Sequence, residues 1–93
     1  MSFIDRMEKN IAKLEKRIEK EKLKIENLRQ KMESKKITKA HFNLKKREIE
    51  DKIKAINSRI RSIHGITVKE KQHLEEKEEK KRKKREEKKK KRQ

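Results

Sequence analysis

The 93-residue chain contains no cysteine, proline, tryptophan or tyrosine, and it has one glycine and two aromatic residues, Phe3 and Phe42. Without cysteine there are no disulfides, thiolate metal ligands or cysteine nucleophiles. One glycine cannot build a glycine-rich phosphate loop. A hydrophobic share of 27% beside a charged share of 55% excludes a sheet-based enzyme that encloses a substrate pocket. Long apolar runs are missing too. The segment Met1 to Glu8 carries charge by Asp5, so it reads as neither a secretion signal nor a membrane span. A cytoplasmic protein with no transmembrane segment is the expectation, and the length allows one domain at most. What remains is a long helix or coiled coil, a disordered chain, or one followed by the other.

The apolar residues that are present fall on heptads. Ile4, Met7, Ile11, Leu14, Ile18, Ile25, Leu28 and Met32 trace the a/d seam of a coiled coil, with one polar interruption at Glu21. Ser2, three residues before Asp5, suits an N-cap, and the pattern predicts a helix over about 2–35. Thr38 suits a second N-cap, with Ile37 and Phe42 placed as a hydrophobic staple around it. Phe42, Ile49, Ile53, Ile56, Ile60 and Ile63 continue in heptads, with Lys46 at an a position, and predict a helix over 39–64. The only glycine, Gly65, follows His64 where a helix C-cap would take the left-handed conformation. Thr67 with Glu70 then reads as a capping box that starts a third helix.

A short connection from Lys35 to Thr38 forces the first two helices into an antiparallel hairpin. Facing residues then have numbers that sum to about 74, matching Ile25 with Ile49, Ile18 with Ile56, Leu14 with Ile60 and Ile11 with Ile63. The fold class expected is all-α: an antiparallel two-helix coiled-coil hairpin over 1–66, then a charged single α-helical or partly disordered C-terminal extension over 67–93. The expected core is Ile11, Leu14, Ile18, Ile25, Leu28, Phe42, Ile49, Ile53, Ile56, Ile60 and Ile63. A two-helix seam leaves its apolar side chains half wet, which calls for a partner: a second copy or another protein along the seam, or a nucleic acid that orders the chain on binding.

Charge is the strongest functional signal. There are 34 Lys and Arg against 17 Asp and Glu, a net +17, which favours a polyanionic partner. By segment the balance is +5 over 1–36, +5 over 37–67 and +7 over 68–93, and within the last segment residues 80–93 alone hold +9. The cations there form two runs, Lys80, Lys81, Arg82, Lys83, Lys84 and Arg85, then Lys88, Lys89, Lys90, Lys91 and Arg92. Five Glu-first pairs at i,i+4, from Glu76 with Lys80 to Glu87 with Lys91, favour helix for this run. A second cluster lies on the hairpin. Its g positions, Arg17, Lys24 and Lys31 against Lys45, Lys52 and Arg59, face one another as a ladder of like charge that repels itself unless an anion lies along it. The opposite edge is mixed, with Glu8, Glu15, Lys22 and Arg29 against Asn43, Glu50 and Asn57.

Lysine outnumbers arginine in these runs and no aromatic residue interleaves, so binding would run through phosphates, sensitive to salt and nearly blind to sequence. His41, His64 and His73 lie apart, with no metal-ligand spacing between them. No acid or base has the burial that shifts a pKa for catalysis. The expectation is therefore no enzyme, no cofactor, no metal and no small-molecule substrate.

The segment from Lys36 to Lys46, with Ile37, Thr38 and Phe42 followed by lysine, resembles the turn and helix start of short helical domains of the SHOCT type. That resemblance covers about eleven residues and lacks the glycine that usually precedes the isoleucine. In composition alone, a basic helical hairpin with a lysine-rich extension resembles accessory proteins of archaeal and eukaryotic ribosomes. The expected function is RNA binding, to ribosomal or other structured RNA, in a ribosome or ribonucleoprotein. The alternative is a coiled-coil adaptor or oligomerisation protein that uses the tail as a tether or solubilising segment.

Overall fold

The computed structural model describes residues 2–92, with side chains described as far as Lys88. Two helices make up the described chain: α1, Phe3–Glu33, of 31 residues, and α2, Lys39–Arg92, of 54 residues. Local chemistry sets their ends. The Ser2 hydroxyl accepts from the Asp5 amide at 3.1 Å and caps α1. At the other end, Lys36 N–H donates to the Lys31 carbonyl at 2.8 Å and Lys35 N–H to that of Met32 at 3.0 Å. This is the Schellman arrangement, and Lys35 holds its left-handed position at φ 63° without being glycine. Thr38 caps α2, its hydroxyl accepting from the His41 amide at 3.1 Å. Phe42 is buried and Ile37 half-buried at the two staple positions.

The helices lie against one another and run in opposite directions, joined at one end by residues 34–38 and bridged near the other by Glu8 and Lys71 at 3.7 Å. Their contact is the heptad stripe. Ile11, Leu14, Ile18, Phe42, Ile49 and Ile56 are buried, at 6–8% exposure. Ile25, Leu28, Ile53, Ile60 and Ile63 are half-buried, as are Ile4, Met7 and Met32. Leu14, Ile18 and Ile56 form the centre of the core, with Ile53, Ile60 and Ile63 packed on it. A hydrophobic stripe just wide enough for one neighbour gives a rod, 85 × 19 × 15 Å.

The second helix does not end at Gly65. Residues 64–67 continue as helix, and Gly65 does not have a positive φ. The reason lies in the seam. Counted on from Ile60 and Ile63, the next a/d positions are Thr67 and Glu70, so the heptad passes through the glycine unbroken. Thr67 is buried, at 5% exposure, and instead of capping a new helix its hydroxyl donates to the Ile63 carbonyl at 2.9 Å. Burial of the seam outweighed both local signals, glycine and capping box. Thr67 is thus buried and Glu70 half-buried beyond the glycine, as are Met7 and Ile4 at the start of α1, the residues that the same register would set opposite them. Past residue 71 or so α2 has no partner helix and projects roughly 30 Å beyond α1.

The projecting arm has little to hold it. Residues 75–88 are all exposed, and so are Val68, at 53%, and Leu74, at 45%. Of the three expected i,i+4 pairs whose side chains are both described, only Glu79 with Lys83 is formed, at 3.8 Å. Glu76 with Lys80 and Glu78 with Arg82 are not within ion-pair distance, and the side chains of Lys90 and Lys91, needed for the last two pairs, lie outside the described residues.

Candidate polyanion-binding surfaces

Because the seam is defined by burial, the flanking heptad positions sort onto two opposite faces of the helix pair. On an antiparallel pair the g and c positions of both helices share one face, and the e and b positions share the other. Two open grooves follow this division. One is lined by Leu14, Arg17, Glu21, Lys52, Ile56 and Arg59, and the other by Glu15, Ile18, Glu19, Lys22, Ile53 and Asn57.

The first face is cationic. On α1 its g and c positions hold Arg6, Lys13, Arg17, Lys20, Lys24 and Lys31, with no acid. On α2 they hold Lys45, Lys52, Arg59 and Lys69 against one acid, Glu48. The g-position ladder comprises six of these ten cations. The other four, Arg6, Lys13, Lys20 and Lys69, escape a reading confined to positions directly beside the seam. The signal that finds them is the c position, one step further round the helix from g.

The ladder is not bare. Glu21, at a d position of the seam, turns to this face: its Oε1 accepts from Lys24 Nζ at 3.0 Å, and its carboxylate shares the groove with Arg17, Lys52 and Arg59. Part of the anion that the ladder requires is thus supplied from within the chain. Glu21 Oε2 is buried with no hydrogen-bond partner. Lys45 is paired with Glu48 at 3.6 Å. Among the described residues, Arg17, Lys31, Lys52 and Arg59 have no acid within ion-pair distance. All six ladder residues are exposed, which leaves their charge available to a ligand.

The second cationic region is the arm. Lys80, Lys81, Arg82, Lys83, Lys84, Arg85 and Lys88 are exposed on the unpartnered part of α2. The side chains of Lys89, Lys90, Lys91 and Arg92 lie outside the described residues. Since α2 is one helix, the arm extends the same rod that carries the cationic face. A third, smaller group surrounds the turn, where Lys35, Lys36 and Lys39 line a shallow hollow with Met32, Ile37 and His41.

His41, His64 and His73 are exposed and far apart along the rod. Among the described residues no three His, Asp or Glu side chains gather as metal ligands, and no helix is long and apolar enough to cross a membrane. Lys46, half-buried at its seam position, reaches Glu50 at 3.7 Å and lies 6.0 Å from the centroid of the Phe42 ring. This disposes of one cation within the seam and takes it off the candidate surface. Comparison of the chain with protein-family models, curated protein sequences and solved structures returns no match.

Proposed function

We propose that the chain is a small cytoplasmic RNA-binding protein, a structural component of a ribosome or another ribonucleoprotein. In this reading the two helices act as an antiparallel coiled-coil hairpin, a stiff support whose g/c face lies along phosphates. The extension, 67–93, carries the denser charge, and its first turn still rests on α1. The observation that carries the reading is the segregation of charge: ten cations against one acid at the g and c positions of one face, with Glu21 and Glu70 turned to it from the seam, collinear with an arm whose residues from Lys80 on hold +9. Random placement of a basic surplus would have coated both faces. With lysine dominant and no aromatic residue among the cations, the contacts are to phosphate and sugar rather than to base edges.

RNA binding by the full chain and by a chain ending at Glu79, followed from low to moderate salt, tests this. Loss of affinity on truncation and a steep fall with salt are expected. Affinity indifferent to both the arm and salt rejects the reading. One observation favours an adaptor as the second reading: no described side chain is less than 2% exposed, so the seam keeps open edges that a partner helix would cover. Sedimentation of a cell lysate through a sucrose gradient separates the two. RNase releases an RNA-bound protein to the top of the gradient and leaves a protein-bound adaptor in its complex.

A further inference from the structure

The face opposite the cationic one is built differently. Its α1 side is acidic: Asp5, Glu8, Glu15, Glu19, Glu26 and Glu33 stand against two bases, Lys22 and Arg29. Its α2 side is basic: Arg47, Lys54, Arg61 and Lys71 stand against one acid, Glu50. The face is therefore nearly neutral as a whole, yet striped lengthwise, negative along one helix and positive along the other. It is also the less polar flank of the seam, because the a positions turn to it. Those positions include the isoleucines at 11, 18, 25, 53 and 60, whereas Glu21 and Glu70 sit at d positions and turn to the other flank. The groove here exposes the edges of Ile18 and Ile53 beside the small Ala12.

We infer that this e/b face is the contact surface for a second copy of the chain, which packs face to face as a four-helix dimer with both charged arms projecting from the same end. The stripes select that geometry. Two such faces can meet about a two-fold axis along the rod, which lays α1 of one copy over α2 of the other, or about an axis across the rod, which lays α1 over α1. The first sets acid over base; the second sets acid over acid and base over base. Only the first is electrostatically matched, and it makes every neighbouring helix antiparallel, as in up-and-down bundles. With facing numbers summing to about 73, Glu19 opposes Lys54 and Glu26 opposes Arg47 of the other copy, each twice by symmetry. The size suffices. A face about 45 Å long, from the length of α1, and 19 Å wide gives roughly 850 Å² per copy, close to one partner's share of a standard interface. Both cationic faces stay outward, and two parallel arms double the charge offered at one end of the particle. The dimer does not depend on which polyanion binds, so it is tested without RNA.

Sedimentation equilibrium of the full chain at moderate salt is expected to show a dimer. Glu19→Lys with Glu26→Lys weakens it by about tenfold or more. Adding Arg47→Glu and Lys54→Glu to the same chain restores it, because the swapped charges meet across the two-fold. The restoration separates this from a local effect: Glu19 and Glu26 also pair with Lys22 at 3.7 Å and Arg29 at 3.5 Å in their own helix, and changes on α2 cannot repair those pairs. The chain has no cysteine, so Gln72→Cys gives a single spin label per copy; a separation of about 30 Å fits arms at the same end, and about 55 Å fits arms at opposite ends. A wild-type chain that stays monomeric, reversal without rescue, or the longer distance each overturns the inference.

Discussion

Replacing Gly65 by alanine separates two backbones that the same residues could have adopted. In the structure Gly65 sits inside α2 at the f position, farthest from the seam, and a Cβ added there meets nothing within 4 Å. Alanine then brings only the gain of helix propensity, about 1 kcal/mol relative to glycine in a helix interior. For a chain of this length, 1 kcal/mol raises the thermal midpoint by about 4–8 °C. Were Gly65 instead a left-handed C-cap between two helices, alanine would cost about 1–2 kcal/mol and the midpoint would fall. The two expectations differ in sign. Circular dichroism at 222 nm, on wild type and Gly65→Ala at equal chain concentration, through thermal and urea unfolding, reads the difference. A lower midpoint refutes the continuous helix, and with it the continuation of the seam to Thr67 and Glu70 and the stiff projection of the arm.

Three further substitutions probe the same architecture. Ile18→Ala empties the centre of the core, where the side chain is 8% exposed, and is expected to cost about 2–4 kcal/mol in urea unfolding. A destabilisation no larger than that of an ordinary surface change would mean the seam is not packed as described. Glu21→Leu removes a carboxylate oxygen buried without a partner and completes the apolar layer opposite Ile53. Even after the exposed Lys24 loses its ion pair, a gain of about 1 kcal/mol is expected, and destabilisation would show that the carboxylate has a partner. Lys35→Gly relieves a non-glycine residue at φ 63°, with an expected gain of about 0.5–1 kcal/mol in thermal unfolding, which a neutral or negative result would contradict.

Long-range order in this chain is legible where it repeats and hidden where a local signal interrupts the repeat. The stripe from Ile4 to Met32 and from Phe42 to Ile63 identifies the residues that are buried or half-buried along the contact, because a single period of 3.5 residues leaves few ways to hide them. Ser2 and Thr38 cap as their positions suggest, since a cap is decided within four residues. Gly65 and Thr67 mislead for the converse reason. Each carries a strong local preference, but Thr67 also lies on the heptad, and its neighbour across the seam is far away in sequence. Extending the a/d count past the glycine exposes the conflict. The cationic surface is half visible in the sequence: the g-position ladder follows from the seam alone, whereas Arg6, Lys13, Lys20 and Lys69 join it only when both helices are given a shared face. The place of Glu21 among those cations cannot be read from a stripe that marks it merely as a polar interruption.

The central claim is that charge on one face, and not net charge, engages the RNA. It is tested most directly by the salt dependence of RNA binding for two double variants of equal net charge, Lys52→Gln with Arg59→Gln on the cationic face and Lys9→Gln with Lys16→Gln at exposed f positions on the outer side of α1. The account predicts that the first pair weakens binding and makes the slope of log affinity against log salt shallower by about 2, one for each phosphate no longer neutralised, while the second pair leaves both unchanged. Equal weakening by the two pairs, or no weakening by either, would contradict it.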